Sequence, residues 1–346
     1  MRTRRGGRPR WRLYADMETQ VRSQIKLWNV VALVAMLAAV PMSAAVAQDY
    51  PTRAINIIVP FTAGGPNDVA GRIYADGLRR HFGSAATIAV ENRPGGAGVP
   101  GTEAAMQAEP DGYTLLMGGI APLTLIPPIQ KVRYNTEKDF APLGLMWRSP
   151  QVFAVHPQVG VKTVAEFIAK AKANPGKLTI GSAGLGTVTH LANELFRREA
   201  KVDFTHVPYK STANSLNDLL GGHINAIFGD VALVRPQAEA GKLVALAVTG
   251  ERRSPLMPDL ATTAEVGFPA VQTEVWYGAL VSAKTPAPII ERLRAATLAV
   301  QTDPVTQKML RQHGIVLGEP GAAAFAKFVR QEIERWTPIV TTIKMR

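Results

Sequence analysis

The sequence has no cysteine anywhere in its 346 residues. Disulfide staples, thiolate catalysis and Cys–metal sites are therefore excluded together. It has only six histidines. His156, His206 and His223 stand at no metal-ligand spacing, so neither a metal nor a cofactor is expected. No Gly-Lys-Ser/Thr phosphate loop occurs, and Ser182 is not in a Gly-x-Ser-x-Gly elbow. Gly181-x-x-Gly184-x-Gly186 is not the dinucleotide fingerprint. Gly96-x-Gly98-x-x-Gly101 matches it in letters but follows Asn-Arg-Pro-Gly instead of closing a strand. Beyond residue 47 there is no second long apolar run and no basic run interleaved with aromatics. A soluble mature protein without a nucleic-acid partner is expected.

Positive charge is concentrated where it says little about ligands. Residues 1–26 carry eight Lys/Arg against Asp16 and Glu18, and residues 27–40 are apolar apart from Asn29. Ala45-Val46-Ala47 then offers a small-x-small cleavage site. Residues 1–47 read as a secretory signal peptide, the apolar run being shorter than a membrane span needs. Met17 is an alternative start. Taking those eight basic and two acidic residues from totals of 39 and 27 leaves 31 against 25, a net of +6 instead of +12. With 19% charged and 47% apolar residues the remainder is globular, and long enough for two domains.

What is present is a repeated design. Residues 55–61 are β-branched and aromatic, as a buried strand requires. Gly64-Gly65 follows, free to take positive φ, with Asn67 or Asp68 as N-cap of a helix running to about residue 81. Residues 178–190 repeat strand, Gly/Ser/Thr loop and helix. The N–H groups and dipole of such helix starts form an anion site; a plain strand–helix connection is the other reading. Two such units suggest two lobes facing one cleft.

Strands at 86–90 and 113–117 with a helix at 100–108 make the beginning an alternating β/α, parallel-sheet pattern. Strands at 143–146 and 152–156 leave that lobe. Helices at 161–174, 188–200, 214–221 and 234–240, with strands at 202–207, 224–228 and 243–248, build a second. A strand at 276–281 returns to the first, followed by helices at 288–302 and 322–343. The expected class is α/β, with two lobes and two chain crossovers between them. Lobe 1 is residues 48–149 and 276–346; lobe 2 is 150–275. Asp230 would stand at a strand's carboxyl end, as ligand group or helix cap. A secreted α/β hydrolase-like enzyme using Ser182 or Asp230 is the rival reading, and a carboxylate-sensing module signalling to a membrane kinase a third.

Several motifs in order carry a family resemblance. They are Tyr50-Pro51-x-Arg53, Val90-Glu91-Asn92-Arg93-Pro94-Gly95, Pro110-Asp111-Gly112-Tyr113-Thr114-Leu115-Leu116 and Lys138-Asp139-Phe140. Downstream stand Ala173-Asn174-Pro175-Gly176-Lys177-Leu178, His206-Val207-Pro208-Tyr209-Lys210 and Gly241-Lys242-Leu243. The chain resembles the Bug-type periplasmic receptors of tripartite tricarboxylate transporters over residues 48–346. The resemblance implies a two-lobed periplasmic-binding-protein (flytrap) fold and a monomeric, non-catalytic receptor that captures a small mono- or dicarboxylate and delivers it to membrane transporter subunits. It implies Phe61, Ala63, Gly64, Gly65, Asn67 and Asp68 on one side of the ligand and Ser182, Gly184, Thr187 and His190 on the other, with Tyr209 and Asp230 at the rim. The chain departs from the family pattern at Pro66-Asn67, at Phe228-Gly229-Asp230 and over residues 119–127. Neither loop holds Lys or Arg, so backbone N–H groups, hydroxyls and water are expected to meet the carboxylate. Gly65→Pro and Thr187→Val are expected to damage binding without unfolding the protein.

The basic, apolar and Ala-x-Ala order of residues 1–47 predicts export with cleavage after Ala47. Mass measurement of the periplasmic protein checks this: a chain beginning at Gln48 is expected, and a retained Met1 or Met17 refutes it.

Overall fold

The computed structural model describes residues 50–343 apart from 316 and 318. The signal peptide expected at 1–47 lies outside the described residues. The opening units are β1 (Ile55–Val59), α1 (Pro66–Phe82), β2 (Ile88–Asn92), α2 (Val99–Gln107) and β3 (Thr114–Gly119). A π-helical turn at Ala121–Leu125 and a one-turn helix at Thr136–Asp139 lead to the 16-residue strand β4 (Phe140–Val155). Then come α3 (Val164–Ala173), β5 (Thr179–Ser182), α4 (Val188–Ala200), β6 (Thr205–Pro208), α5 (Thr212–Leu220), β7 (Ala226–Asp230), α6 (Val231–Glu239) and β8 (Val244–Val248). The chain closes with β9 (Glu274–Ser282), α7 (Ala287–Thr302), α8 (Pro304–Gln312) and α9 (Ala322–Val340).

The strands lie in the order β2-β1-β3-β9-β4-β7-β5-β6, with β8 also on β4. The β2-β1-β3 trio is parallel, as its β/α alternation requires. β9 is inserted antiparallel between β3 and β4. β7, β5 and β6 are again mutually parallel.

β4 differs from expectation. Its two apolar stretches are one continuous strand, although Pro142 and Pro150 punctuate it. Proline is tolerated in a sheet where the ladder is already irregular. The register with β9 shifts between Pro142 and Gly144 and again between Leu145 and Trp147. Pro150 is the last residue paired with β9, and Gln151 is the first paired with β7. β4 thus serves one sheet with its first half and another with its second.

A hydrogen-bond cluster fixes that exchange. Gln151 N–H donates to Thr249 Oγ1 at 2.9 Å, and Thr249 N–H donates to Gln151 O at 2.8 Å. Thr249 Oγ1 donates to the carbonyl of Thr273, whose own hydroxyl donates to Gln151 Oε1 at 2.9 Å. All three residues are fully buried. The cluster ties β4 to the segment leaving β8 and to the one entering β9, the two places where the chain passes from sheet to sheet.

Aromatic packing holds each half. Phe153 of β4 stacks on Phe228 of β7 with centroids 4.6 Å apart, and Phe167 of α3 and Phe196 of α4 close around it at 5.0 and 4.9 Å. On the other side α9 is pinned by Glu332, which accepts from Trp276 Nε1 at 2.9 Å and Trp336 Nε1 at 3.0 Å. Truncating Phe153 to Ala would open a cavity that the three remaining rings cannot refill. A loss of about 3–5 kcal/mol is expected, read as a lower urea midpoint at unchanged slope; a loss below about 1 kcal/mol would contradict this packing.

Candidate functional site

The first turn of α1 is built differently from its sequence signal. Gly65, not Asn67 or Asp68, is the N-cap, because Pro66 occupies the first helical position that its fixed φ suits. The positive φ falls on Gly64 (+80°), while Gly65 sits at −81°, a value proline itself adopts. Gly65 N–H goes only to Thr62 O, at 3.4 Å. Gly65→Pro is therefore a mild change here, and Gly64 is the position that demands glycine. Asp68 turns inward to hold the loop: it accepts from Gly64 N at 2.9 Å, Arg72 Nε at 2.9 Å and Asn92 Nδ2 at 3.0 Å. Burial pushes its carboxyl up, but these donors outweigh it and hold it below the usual range. Its charge is thus met by Arg72 and does not project at a ligand.

The second loop also satisfies itself. Ala183 N–H donates to Thr189 Oγ1 at 2.8 Å, Gly184 N–H to Ser182 Oγ at 3.1 Å, and Gly186 N–H to His190 Nδ1 at 3.2 Å. Thr187 is the N-cap of α4, accepting from His190 N–H at 3.4 Å and donating to Gly184 O at 2.7 Å. Thr187→Val would strip this cap, about 1 kcal/mol of stability, before it affected a ligand. Ser182 Oγ lies 2.6 Å from His206 Nε2. The ring of His206 stacks on His190 with centroids 4.3 Å apart. Burial drives His190 down to about 3, helped by His206 and Arg197, and burial with Arg197 drives His206 down to about 4. Both rings are neutral near pH 7, so the 3.9 Å approach of His190 to Glu194 is no ion pair, and neither ring offers a cation. Ser182 is only 1% exposed, which withholds it from any substrate.

Between the two loops lies a narrow cavity of about 50 Å³. Four helix starts line it: Gly65, Pro66 and Asn67 of α1, Thr187 to Thr189 of α4, Ser211 and Thr212 of α5, and Asp230 before α6. The N–H groups of Asn67, Val188 and Thr189 have no protein acceptor among the described residues. Phe61 and Tyr277 form apolar walls, their ring centroids 6.4 Å apart. Thr62, Ile120, Ala121, Gln151, Ala183 and Val275 complete the lining, which contains no Lys or Arg.

Of the twelve residues singled out in the sequence, Phe61, Gly65, Asn67, Thr187 and Asp230 line this cavity. Gly184 and Tyr209 line an outer hollow together with Lys210 and the glycine turn at residues 95–98. Ala63, Gly64, Asp68, Ser182 and His190 line neither: Ala63 and Gly64 are exposed, and Asp68, Ser182 and His190 accept hydrogen bonds from the loop backbones. Tyr209 directs its hydroxyl to Asp218 at 2.7 Å. Asp230 is not at a rim: it is 3% exposed, its carboxyl pushed by burial up to about 7, and it makes no side-chain cap bond to α6. Sequence reasoning missed Gln151, the start of α5, and Val275 and Tyr277. A glutamine inside the apolar run Val152–Val155 and its flank was the one signal available for the first. No cluster of three metal-ligating side chains occurs among the described residues.

The family described as "Tripartite tricarboxylate transporter family receptor" matches residues 69–345. Protein BugT of Bordetella pertussis is 32% identical over 306 residues, covering 87% of this chain and 92% of BugT. The structure of R. palustris Rpa4515 with adipate is 30% identical, covers 85% of this chain and 99% of that one, and superposes with a TM-score of 0.79. MatC of Rhodopseudomonas palustris with bound malate is 28% identical, covers 84% and 100%, and gives 0.78.

The buried acid and the buried histidines make opposite contributions to stability. Asp230 titrates higher in the folded chain than in the unfolded one, so its contribution is full below about pH 4 and is lost as pH rises through about 7. His190 and His206 titrate lower, so theirs is present above about pH 6.5 and is lost as pH falls toward 4 and 3. Tyr277, raised by burial and by Asp230, does not titrate in this window. Asp230→Asn removes only the first effect. Its stability relative to the parent is expected to grow between pH 4 and 8 by up to about 4 kcal/mol. Thermal melts across that range check this, and a difference that does not vary with pH counts against it.

Proposed function

The chain belongs to the tripartite tricarboxylate transporter receptor family, and from that premise we propose that its cavity captures a small carboxylate in the periplasm and delivers it to membrane transporter subunits. The family is one of periplasmic solute-binding receptors, not of enzymes. Its fold is the α/β periplasmic-binding-protein fold expected from the motifs.

One observation supports the reading above others: several helix starts converge on one buried cavity that lacks any basic side chain. Each start contributes about 0.3–1 kcal/mol toward an anion, and each hydrogen bond to the charged group roughly 1.5–3 kcal/mol. The unpartnered N–H groups of Asn67, Val188 and Thr189 supply such donors from two sides. Together these reach the roughly −8 kcal/mol of micromolar binding. The adipate and malate of the two neighbours are acids of the right class. In this proposal residues 48–149 with 276–346 form one lobe and 150–275 the other. The receptor works as a monomer whose lobes shut on the ligand.

Gly186 of one loop already stands against Ile126 and Ala97 of the opposite side, and Gly186 has φ +74°. A Cβ there would stand 2.3 Å from Ile126 Cδ1. Gly186→Val is therefore expected to hold the loops apart and weaken binding at least tenfold. A thermal-shift screen against carboxylates finds the ligand, which at about 100 Kd stabilises the parent by about 2.7 kcal/mol. Solution scattering should then show the parent's radius of gyration falling on saturation and the variant's unchanged. If no carboxylate stabilises the parent, the receptor reading fails; if binding occurs with no change in radius, closure fails.

A further inference from the structure

Three side chains on the inner wall of the cavity are almost wholly buried and each leaves one polar atom without a partner. They are Asn67 (1% exposed, Oδ1), Gln151 (0%, Nε2) and Asp230 (3%, Oδ1). They come from α1, β4 and the end of β7. Gln151 and Asp230 are paired directly across the β4–β7 ladder, so both project from the same face of the sheet. The remaining atoms of the two amides are fixed. Asn67 Nδ2 donates to Met117 O at 3.2 Å, and Gln151 Oε1 accepts from Thr273 Oγ1 at 2.9 Å. The atoms left without a partner are therefore an acceptor on Asn67, a donor on Gln151 and a carboxylate oxygen on Asp230. A buried polar atom left unsatisfied is costly, and each of these three belongs to a residue that lines the cavity.

The three atoms discriminate between end groups. A second carboxylate brings acceptors alone: once Asp230 is ionised, it would satisfy Gln151 but confront Asn67 Oδ1 and Asp230 with no proton between them. An ammonium brings donors alone and leaves Gln151 unmet. A primary carboxamide brings two N–H donors and one carbonyl acceptor, the complement of two acceptors and one donor. We propose that the inner end of this cavity recognises a primary carboxamide, so that the captured solute is a monocarboxylate bearing an amide at its far end. This rests on the receptor reading above and narrows its substrate class. It departs from the diacids of the neighbouring structures. The departure falls where this chain carries Phe228-Gly229-Asp230 and buries an acid with no basic partner in the lining.

The test is calorimetry on the whole mature chain at pH 8, about one unit above the value to which burial pushes Asp230. Two matched series are titrated: succinate, succinamate and 4-aminobutyrate, then adipate, its monoamide and 6-aminohexanoate. The monoamide is expected to bind at least fivefold tighter than the diacid and the amino acid of its own length, in at least one series. In Asp230→Asn, which exchanges the carboxylate for a group of the same shape that can donate, the diacid should gain on the monoamide by at least fivefold. The parent's ranking is decisive alone, so the inference stands or falls even if the variant does not fold. A diacid or amino acid that matches or exceeds its monoamide in both series overturns the amide inference and leaves the carboxylate receptor intact. Absence of binding by all six compounds at 10 mM overturns both.

Discussion

Between Pro150 and Gln151, strand β4 gives up β9 as its partner and takes β7 and β8. Gln151, Thr249 and Thr273 close that exchange with a cluster of four hydrogen bonds in a place without solvent. The cavity's position follows from this constraint. Asp230 stands opposite Gln151, and Val275 follows the first residue of β9. Tyr277 is set by the register of β9 with Gly119 and Trp147. Helix starts from the parallel units on either side then point at the same seam, as ligand sites of open α/β sheets do at the carboxyl ends of strands.

The electrostatic character of the site comes from what has been neutralised. Asp68 has Arg72, the stacked histidines are held uncharged by burial, and no basic side chain enters the lining. Fixed dipoles and N–H groups are left to meet a charge. Such groups are already oriented and lose little freedom when a ligand arrives. Lysine offers no such economy, since ordering its side chain costs up to about 2 kcal/mol. Lys210 does occur, but in the outer hollow, where it can attract an anion without joining its final coordination.

Local signals were legible in the sequence, and long-range ones were not. The strand–glycine–helix units at 55–82 and 179–200, the parallel beginning and the returning strand near 276 all carry their signature within about 20 residues. The N-cap of α1 was misplaced by two residues because Asn67 and Asp68 are good caps in isolation, and the preference of Pro66 for the first helical position won. β4 was split because Pro142 and Pro150 read as breaks; a bulge and a change of partner accommodate them. α8 was not foreseen at all, although Asp303 caps it and Pro304 opens it. Within the site, the loops were legible as loops, but which of their N–H groups remain free depends on Thr189, His190 and Ser182 turning back on their own backbone. Gln151 and Tyr277 belong to the site only through long-range pairings, Gln151 with Asp230, 79 residues away, and Tyr277 with Trp147, 130 residues away.

The double service of β4 also fixes an order of events as the chain folds. Its second half finds all its partners by Val248, within one continuous stretch of about 100 residues. Its first half must wait for β9, and so must the link to β3, since β9 alone stands between β3 and β4. Joining β4 to β9 closes a loop of more than 100 residues, but loop-closure entropy grows only with the logarithm of length. Once the middle of the chain has folded, most of that loop is already compact: Gln151 and Thr249 are hydrogen-bonded to each other, and only the segment from Thr249 to Glu274 is left to span. The middle of the sequence is thereby the natural nucleus, and the two termini assemble on it.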